Sequence, residues 1–442
     1  MSRETIEVRY RELTPMSRQM FEDGRSVNAG AAKGAYFFAP YPIALRRGEG
    51  CVLEDVDGRS YVDFSNHHTA QVLGHNHPAI VEAVERQLVD GIALGAATGV
   101  ETRLARMMCE RISSVERIRF VSSGTEATLH AVRLARCFSG RPKIAKFEGG
   151  YHGSHDAVEI STAPPLESAG EASAPNAVPS AGGMASHALD DMIVLPYNDE
   201  ESVERLLSRH RDELACVILD PKAGIIPIRH DFIQRVRAIT EELGILLILD
   251  EIVGFRQARG GLQSHVGVRP DLTCFGKMIG GGFPVGAFGG RADIMDLVDN
   301  SSGASPVFQS GTHSSHAVAM AAGIATLESM TDEAYAHLNR LGNRLKTGLE
   351  DLFAERGVMA QVVVTGSVFG IHFGIDRLHD YRDQTRSDKA MAHAVFLSLL
   401  NQGYFCGQGL TMCAISLPTQ DEHIDGLILS VGNALDEVAS QV

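Results

Sequence analysis

A lysine with almost nothing polar around it sits in the stretch CFGKMIGGGFPVGAFGG, residues 274–290. Lys277 is the only charged residue there, and seven of the seventeen positions are glycine. A surface lysine needs no such framing. A lysine kept partly dry has its ammonium pKa pushed down and becomes a nucleophile. Asp250, 27 positions earlier, ends the apolar run of GILLILDE. An acid at the exit of an apolar segment is costly unless paired, either with a buried arginine or with a cationic ligand atom. Asp220-Pro221 ends ACVIL in the same way. Ser122-Ser123-Gly124-Thr125 follows RIRFV and opens a helical pattern. Its backbone N–H groups and hydroxyls suit a phosphate, although an ordinary serine N-cap accounts for the same residues. Tyr151 and His152 follow IAKF at the glycine-flanked turn EGGYHG. A tyrosine there could stack on a flat ring or cover the core.

All these residues stand just past short apolar runs, which is where ligands collect in open parallel sheets. The runs read as strands at Ile118–Val121, Ile144–Phe147, Met192–Leu195, Ala215–Leu219, Ile245–Leu249, Leu272–Phe275 and Val285–Phe288. Several are continuously apolar, as strands covered on both faces must be. Segments of helical period fill the gaps: the stretch after SSGTE as far as Gly140, then SVERLLSRHRDEL and FIQRVRAITEELG. The alternation predicts an α/β class with a mostly parallel seven-stranded sheet in a large domain, residues 71–329. Beyond Ser329 the pattern becomes helix, short strands, then helix, which predicts a small α+β domain over 330–442, with residues 1–70 contributing to it. Segment 161–188 is rich in Ala, Ser, Pro and Gly, and reads as a disordered connection or a lid.

A phosphate cradle, a flat-ring stacker, a strand-end aspartate and a strand-end lysine together suit pyridoxal 5'-phosphate. Its aldehyde forms a Schiff base with a lysine. A carboxylate keeps its ring nitrogen protonated, so the ring can accept electrons from a substrate carbanion. The freed lysine can then carry the proton between carbons.

The motifs FVSSGTEA, FEGGYHG, LILDEIVGFR, DLTCFGKMIGGGFPVGAFGGR and QSGTHSS, in that order, resemble the class III (ornithine/ω-type) aminotransferases of fold type I. Within them the chain is most similar to the branch of glutamate-1-semialdehyde aminomutase and the β-amino acid aminotransferases. The resemblance runs from about residue 30 to the C-terminus and implies a role for each motif residue. Lys277 would be the Schiff-base lysine and Asp250 the partner of the pyridine nitrogen. Ser123, Gly124 and Thr125 would hold the phosphate, and Tyr151, with His152 beside it, would meet the ring. Thr312 would reach the phosphate from a neighbouring subunit, which implies a homodimer with shared active sites. The substrates implied are a small amino donor and a keto acid or aldehyde acceptor, with an intramolecular aminomutase as the alternative.

Several positions depart from the family. DEIVGFR is one residue short, which shifts Arg256, a candidate substrate contact; Ile225 stands where some relatives have a glutamate. Lys33 aligns with an arginine that grips the substrate carboxylate in the β-amino acid branch. A lysine grips less specifically, and a solvated loop lysine is the competing reading. GTHSSHA brings His313 and His316 to a position usually free of them, and CGQGLTMC carries no charge, which favours an apolar substrate pocket.

Composition excludes other classes. The net charge of −15 over 442 residues argues against nucleic acid or an anionic membrane surface as partner. The longest largely apolar run, Ala317 to Leu327, is well short of the ~20 residues of a membrane span. The charged N-terminus shows no secretory signal. The seven cysteines form no C-x-x-C pair, so neither a zinc site nor a disulfide framework is expected, and the compartment expected is the cytoplasm. KMIGGGFPVG matches neither nucleotide-binding glycine pattern.

Overall fold

The computed structural model describes residues 3–30, 36–301 and 303–439. Its centre is the expected seven-stranded sheet: β1 (Arg117–Val121), β2 (Lys143–Phe147), β3 (Met192–Leu195), β4 (Leu214–Leu219), β5 (Leu246–Asp250), β6 (Leu272–Gly276) and β7 (Gly286–Gly290). The spatial order is β1-β7-β6-β5-β4-β2-β3. All neighbours are parallel except β7, which runs against both β6 and β1. Every residue of β4 and β5 is buried, because helices cover both faces and leave no polar side to the sheet.

The helices end where the sequence requires. Gly124–Ser139 stops at Gly140 and His230–Leu243 at Gly244, both left-handed at φ +68° and +63°. A glycine takes that conformation without the steric penalty of a Cβ. The parallel register places Asp250 of β5 opposite Cys274 of β6, so the exits of adjacent strands lie side by side.

Smaller sheets flank this core. Leu45–Glu49, Val52–Asp55 and Ser60–Asp63 form an antiparallel ladder that Tyr404–Phe405 joins in parallel. Ala360–Thr365, Val368–Phe373 and Cys413–Ala414 form another. Two helices not expected from the sequence, Arg3–Leu13 and Pro15–Arg25, precede them. Segment 161–188 is packed in place rather than disordered. Gly170–Glu171 pairs with Ala174–Pro175, the Tyr381 hydroxyl donates to the Pro164 carbonyl at 2.9 Å, and Arg382 Nη1 donates to the Gly170 carbonyl at 2.9 Å.

Candidate active site

The exits of β1, β2, β4, β5 and β6 converge on a cavity of about 570 Å³. Ser123, Gly124, Thr125, Tyr151, His152, Asp250 and Lys277 all line it. Lys277 immediately follows β6 at φ +53°, a left-handed conformation unusual for a side chain with a Cβ. That kink turns the lysine off the strand and into the cavity, where Nζ donates to Thr69 Oγ1 at 3.3 Å. Crowding by protein pushes the ammonium down to about 8, against the opposing pull of Asp250 and Asp220.

Asp250 ends β5 and is 5% exposed. His152 Nδ1 lies 2.8 Å from its Oδ2, and the Ile252 N–H donates to Oδ1 at 3.1 Å. Burial raises the carboxyl to about 7, and burial likewise lowers His152 to about 3. The Lys277 and Lys222 ammonium groups pull the carboxyl the other way, and among the described residues neither forms an ion pair with it. The opposite nitrogen, His152 Nε2, is buried and has no hydrogen-bond partner among the described residues. Glu251, one residue on, points to the other side of the chain. It accepts from the Leu262 and Gln263 N–H groups at 2.7 and 2.8 Å and from Gln263 Nε2 at 3.1 Å. Of the two acids, Asp250 alone faces the cavity.

Past β1, Ser123 does serve as an N-cap. Its Oγ accepts from Glu126 N at 3.1 Å, while Glu126 Oε2 accepts from the N–H of Ser122, one residue before the cap, at 2.7 Å. Capping occupies the serine hydroxyl; the N–H groups of Gly124 and Thr125 still begin a 16-residue helix, where an anion is favoured. Gly286 of β7 lets this turn sit close, since a Cβ there would lie 1.9 Å from the Ser123 carbonyl oxygen. Tyr151 is 56% exposed, large for an aromatic ring beside a cavity. Ile252 lines the same cavity from the exit of β5.

Arg256 does not meet the expectation of a substrate contact. It is 2% exposed and is not among the cavity-lining residues. Its guanidinium donates to Ser367 Oγ, the Thr69 carbonyl, Asn66 Oδ1 and the Ile415 carbonyl at 2.7–3.4 Å. These bonds brace four successive left-handed residues, Asn66, His67, His68 and Thr69, at φ +49° to +71°. Such a run is strained and persists only under external restraint. Asp63 Oδ1 supplies more of it, accepting from Ser65 N and Asn66 N at 2.9 Å. Thr312 is exposed and lies outside the cavity of its own chain. Lys33 lies outside the described residues.

Sequence reasoning missed several lining residues: His67, His68, Tyr36, Lys222 and Ile252. Lys222 had a usable signal, being two positions past the strand-end acid Asp220. Nothing in the sequence announces the left-handed turn at 66–69, which contains no glycine. The uncharged CGQGLTMC stretch reaches the cavity through Met412. Among the described residues there is no group of His, Cys, Asp and Glu suited to a metal ion, and no helix long and apolar enough to cross a membrane.

A family model described as "Aminotransferase class-III" matches residues 37–435. The chain belongs to the class III aminotransferase family. A glutamate-1-semialdehyde 2,1-aminomutase of Methanothermobacter thermautotrophicus is 37% identical, with 96% of this chain and 99% of that protein covered. Among solved structures, an omega-transaminase from Sphaerobacter thermophilus is 41% identical with a TM-score of 0.92, covering 95% and 97% of the two chains. A beta-phenylalanine aminotransferase from Variovorax paradoxus is 36% identical with a TM-score of 0.88, covering 99% and 98%. The cofactor of this class III enzyme is pyridoxal 5'-phosphate. The cavity suits it. A buried carboxyl with no lysine or arginine ion pair among the described residues, a helix N-terminus, an exposed aromatic ring and a lysine of depressed pKa are the groups its nitrogen, phosphate, ring and aldehyde need.

Proposed function

We propose that this class III enzyme moves an amino group from an amine or amino acid donor to a keto acid or aldehyde acceptor, with Lys277 as the residue that holds the cofactor covalently. When bound, pyridoxal 5'-phosphate supplies an aldehyde for amine capture and a ring that accepts electrons from the substrate carbon. The chain's own residues do the rest. Asp250 is anionic once a ring N–H⁺ faces it, and its cost of burial is then met by the ion pair. His152 fixes the orientation of that carboxylate through the 2.8 Å contact. The N–H groups of Gly124 and Thr125, beside Ser123, bind the phosphate. Tyr151 and Ile252 bracket the ring. A lysine depressed to about 8 is readily neutral, so it can take a proton from the substrate carbon and return it elsewhere. Thr312 completes the phosphate site of a partner subunit in a homodimer, and Lys33 assists a substrate carboxylate.

The observation that carries transamination is the uncharged wall of the cavity, built from Ile225, Phe283, Val285 and Met412. Such a wall accepts an apolar amine or a hydrophobic β-amino acid. The omega-transaminase and beta-phenylalanine aminotransferase likenesses support the same reading. The aminomutase reading uses the same residues and is favoured by the names of the curated relatives. Its substrate carries a carboxylate, as a β-amino acid does, so either would need Lys33 or another cation outside this wall; what the wall favours is an apolar remainder on the amino donor. No residue of 161–188 lines the cavity of its own chain, so that segment supplies no lid there. Turnover with and without an added keto acceptor separates the two. A transaminase stops after one half-reaction when the acceptor is withheld, whereas sustained turnover of glutamate-1-semialdehyde alone would establish the mutase.

A further inference from the structure

Lys222 lines the cavity, and the proposed function has no use for it. It lies three residues past β4, is 4% exposed, and has φ +60°. Non-glycine residues seldom adopt that conformation, and where they do the strain concentrates at functional sites. Its backbone N–H donates to Asp220 Oδ1 at 3.0 Å. Its Nζ donates to the Gly149 carbonyl at 2.5 Å and stands 4.0 Å from Asp220 Oδ2. An ammonium carries three donors, so this one keeps capacity beyond the Gly149 bond.

Charged and titratable groups face it from every neighbouring strand exit. Asp220 comes from its own strand, Asp250 from β5, and His152 and Lys146 from β2; Lys277, from β6, shares the cavity. Burial pushes the Lys222 ammonium below its ordinary value, and the two aspartates work against that shift.

The order of the strands decides which edge of the cofactor Lys222 meets. The phosphate turn after β1 and Lys277 after β6 lie on one side of β5, and β4 lies on the other. In pyridoxal phosphate the 3-oxygen and the phosphate arm sit on opposite sides of the axis through the ring nitrogen and the aldehyde carbon. With the nitrogen at Asp250 and the phosphate at Ser123–Thr125, the 3-oxygen edge faces β4. Past β4 the cavity is lined by Asp220, Lys222, Ala223 and Ile225. Among these, Lys222 alone is a cationic donor.

The geometry points to Lys222 as a cofactor-contacting residue that donates a hydrogen bond to the 3-oxygen of pyridoxal phosphate, holds it as the oxyanion, and so weakens the hold of the Lys277 imine on its proton. This rests on the assignment of Asp250 and the phosphate turn above. The cause is electrostatic: a fixed positive charge beside the oxyanion competes with the imine N–H for the same lone pairs and repels the imine charge.

The test is a pH titration of cofactor absorbance in the holoenzyme, comparing wild type with Lys222→Gln and Lys222→Arg. Glutamine can still donate to the Gly149 carbonyl but carries no charge, and melting temperatures taken alongside report on the fold. In Lys222→Gln the midpoint of imine deprotonation should rise by about one unit, a tenfold change in proton affinity. Lys222→Arg should stay near wild type. A Lys222→Gln holoenzyme with an unmoved midpoint overturns the proposal. So does a variant whose only change is a raised KM for carboxylate substrates, since Lys222 would then grip substrate. If Lys222→Gln does not fold, a Lys222→Arg midpoint equal to wild type supports the charge and one displaced by a unit or more contradicts it. Wild-type protein that gains no imine band with pyridoxal phosphate would refute the cofactor assignment itself, a separate failure.

Discussion

Two aspartates at opposite edges of one sheet are almost equally buried and differently equipped. Asp271, at the amino edge before β6, is 6% exposed; Asp250, at the carboxyl edge of β5, is 5% exposed. Asp271 accepts from Arg237 Nη1 at 2.6 Å, Arg291 Nη1 at 2.9 Å and the Leu247 N–H at 2.9 Å. Two guanidinium groups and a backbone donor satisfy it. Asp250 has one backbone donor and a histidine that burial keeps neutral. The amino edge has met the needs of its carboxylate within the chain. Among the described residues, the carboxyl edge gives its carboxyl no ion pair with lysine or arginine and Lys277 one long hydrogen bond, and it holds Lys222 and Lys277 in left-handed conformations. One edge secures the fold, and the other keeps binding capacity in reserve.

The contrast breaks most visibly at Lys277. Lys277→Ala should lower turnover by about 10⁴-fold or more, since it removes the attachment point and the proton carrier together. Steady-state assays would show it, and a variant retaining a tenth of wild-type turnover would refute the assignment. Asp250→Asn should cost roughly 10²- to 10³-fold in kcat, the scale of losing a fixed electrostatic partner, with weaker cofactor retention in equilibrium dialysis. Asp271→Ala should do the reverse. Removing one member of a buried ion network costs about 3 kcal/mol of stability, visible in denaturant unfolding, while activity per folded molecule and the cofactor spectrum stay unchanged. His152→Ala should have the smallest effect. A hydrogen bond worth about 1 kcal/mol corresponds to about fivefold in kcat.

The same comparison predicts how stability depends on pH. The Asp250 carboxyl rises from 3.8 to about 7 in the folded protein, so the folded chain holds that proton where the unfolded chain has lost it. Its contribution to the cofactor-free protein is intact below about pH 4 and is lost as pH rises through about 7. His152, lowered from 6.5 to about 3, has the opposite slope over much of that window. The informative quantity is therefore wild-type minus Asp250→Asn stability. It should fall between about pH 4 and 7, and a flat difference would mean that Asp250 is already ionised without cofactor.

Much of this was legible in the sequence, for local reasons. Most strands of the sheet are short, largely apolar runs closed by a polar residue, a glycine or a proline, so all seven emerged within one or two positions of their limits. The same closure marked Asp250, Lys277 and the Ser123–Thr125 turn. Arg256 misled because its partners at 66–69, 367 and 415 are distant in the chain, and a buried guanidinium among carbonyls looks in sequence like one facing a substrate. The left-handed turn at 66–69 was hidden for a related reason: tertiary bonds from Arg256, with a local brace from Asp63, enforce it, not glycine. Pairing of Ser60–Asp63 with Tyr404–Phe405 supports the proposed contribution of the N-terminal segment to a small domain with 330–442.

Among the described residues two lysines line one cavity, and only one of them, Lys277, is expected to carry the cofactor. Borohydride reduction of the pyridoxal phosphate holoenzyme, followed by proteolysis and mass spectrometry, reads this directly. A single phosphopyridoxyl mass is expected on the peptide containing Lys277 and none on the peptide containing Lys222. A label on Lys222, or no label on a protein that is otherwise folded and saturated with cofactor, would contradict it.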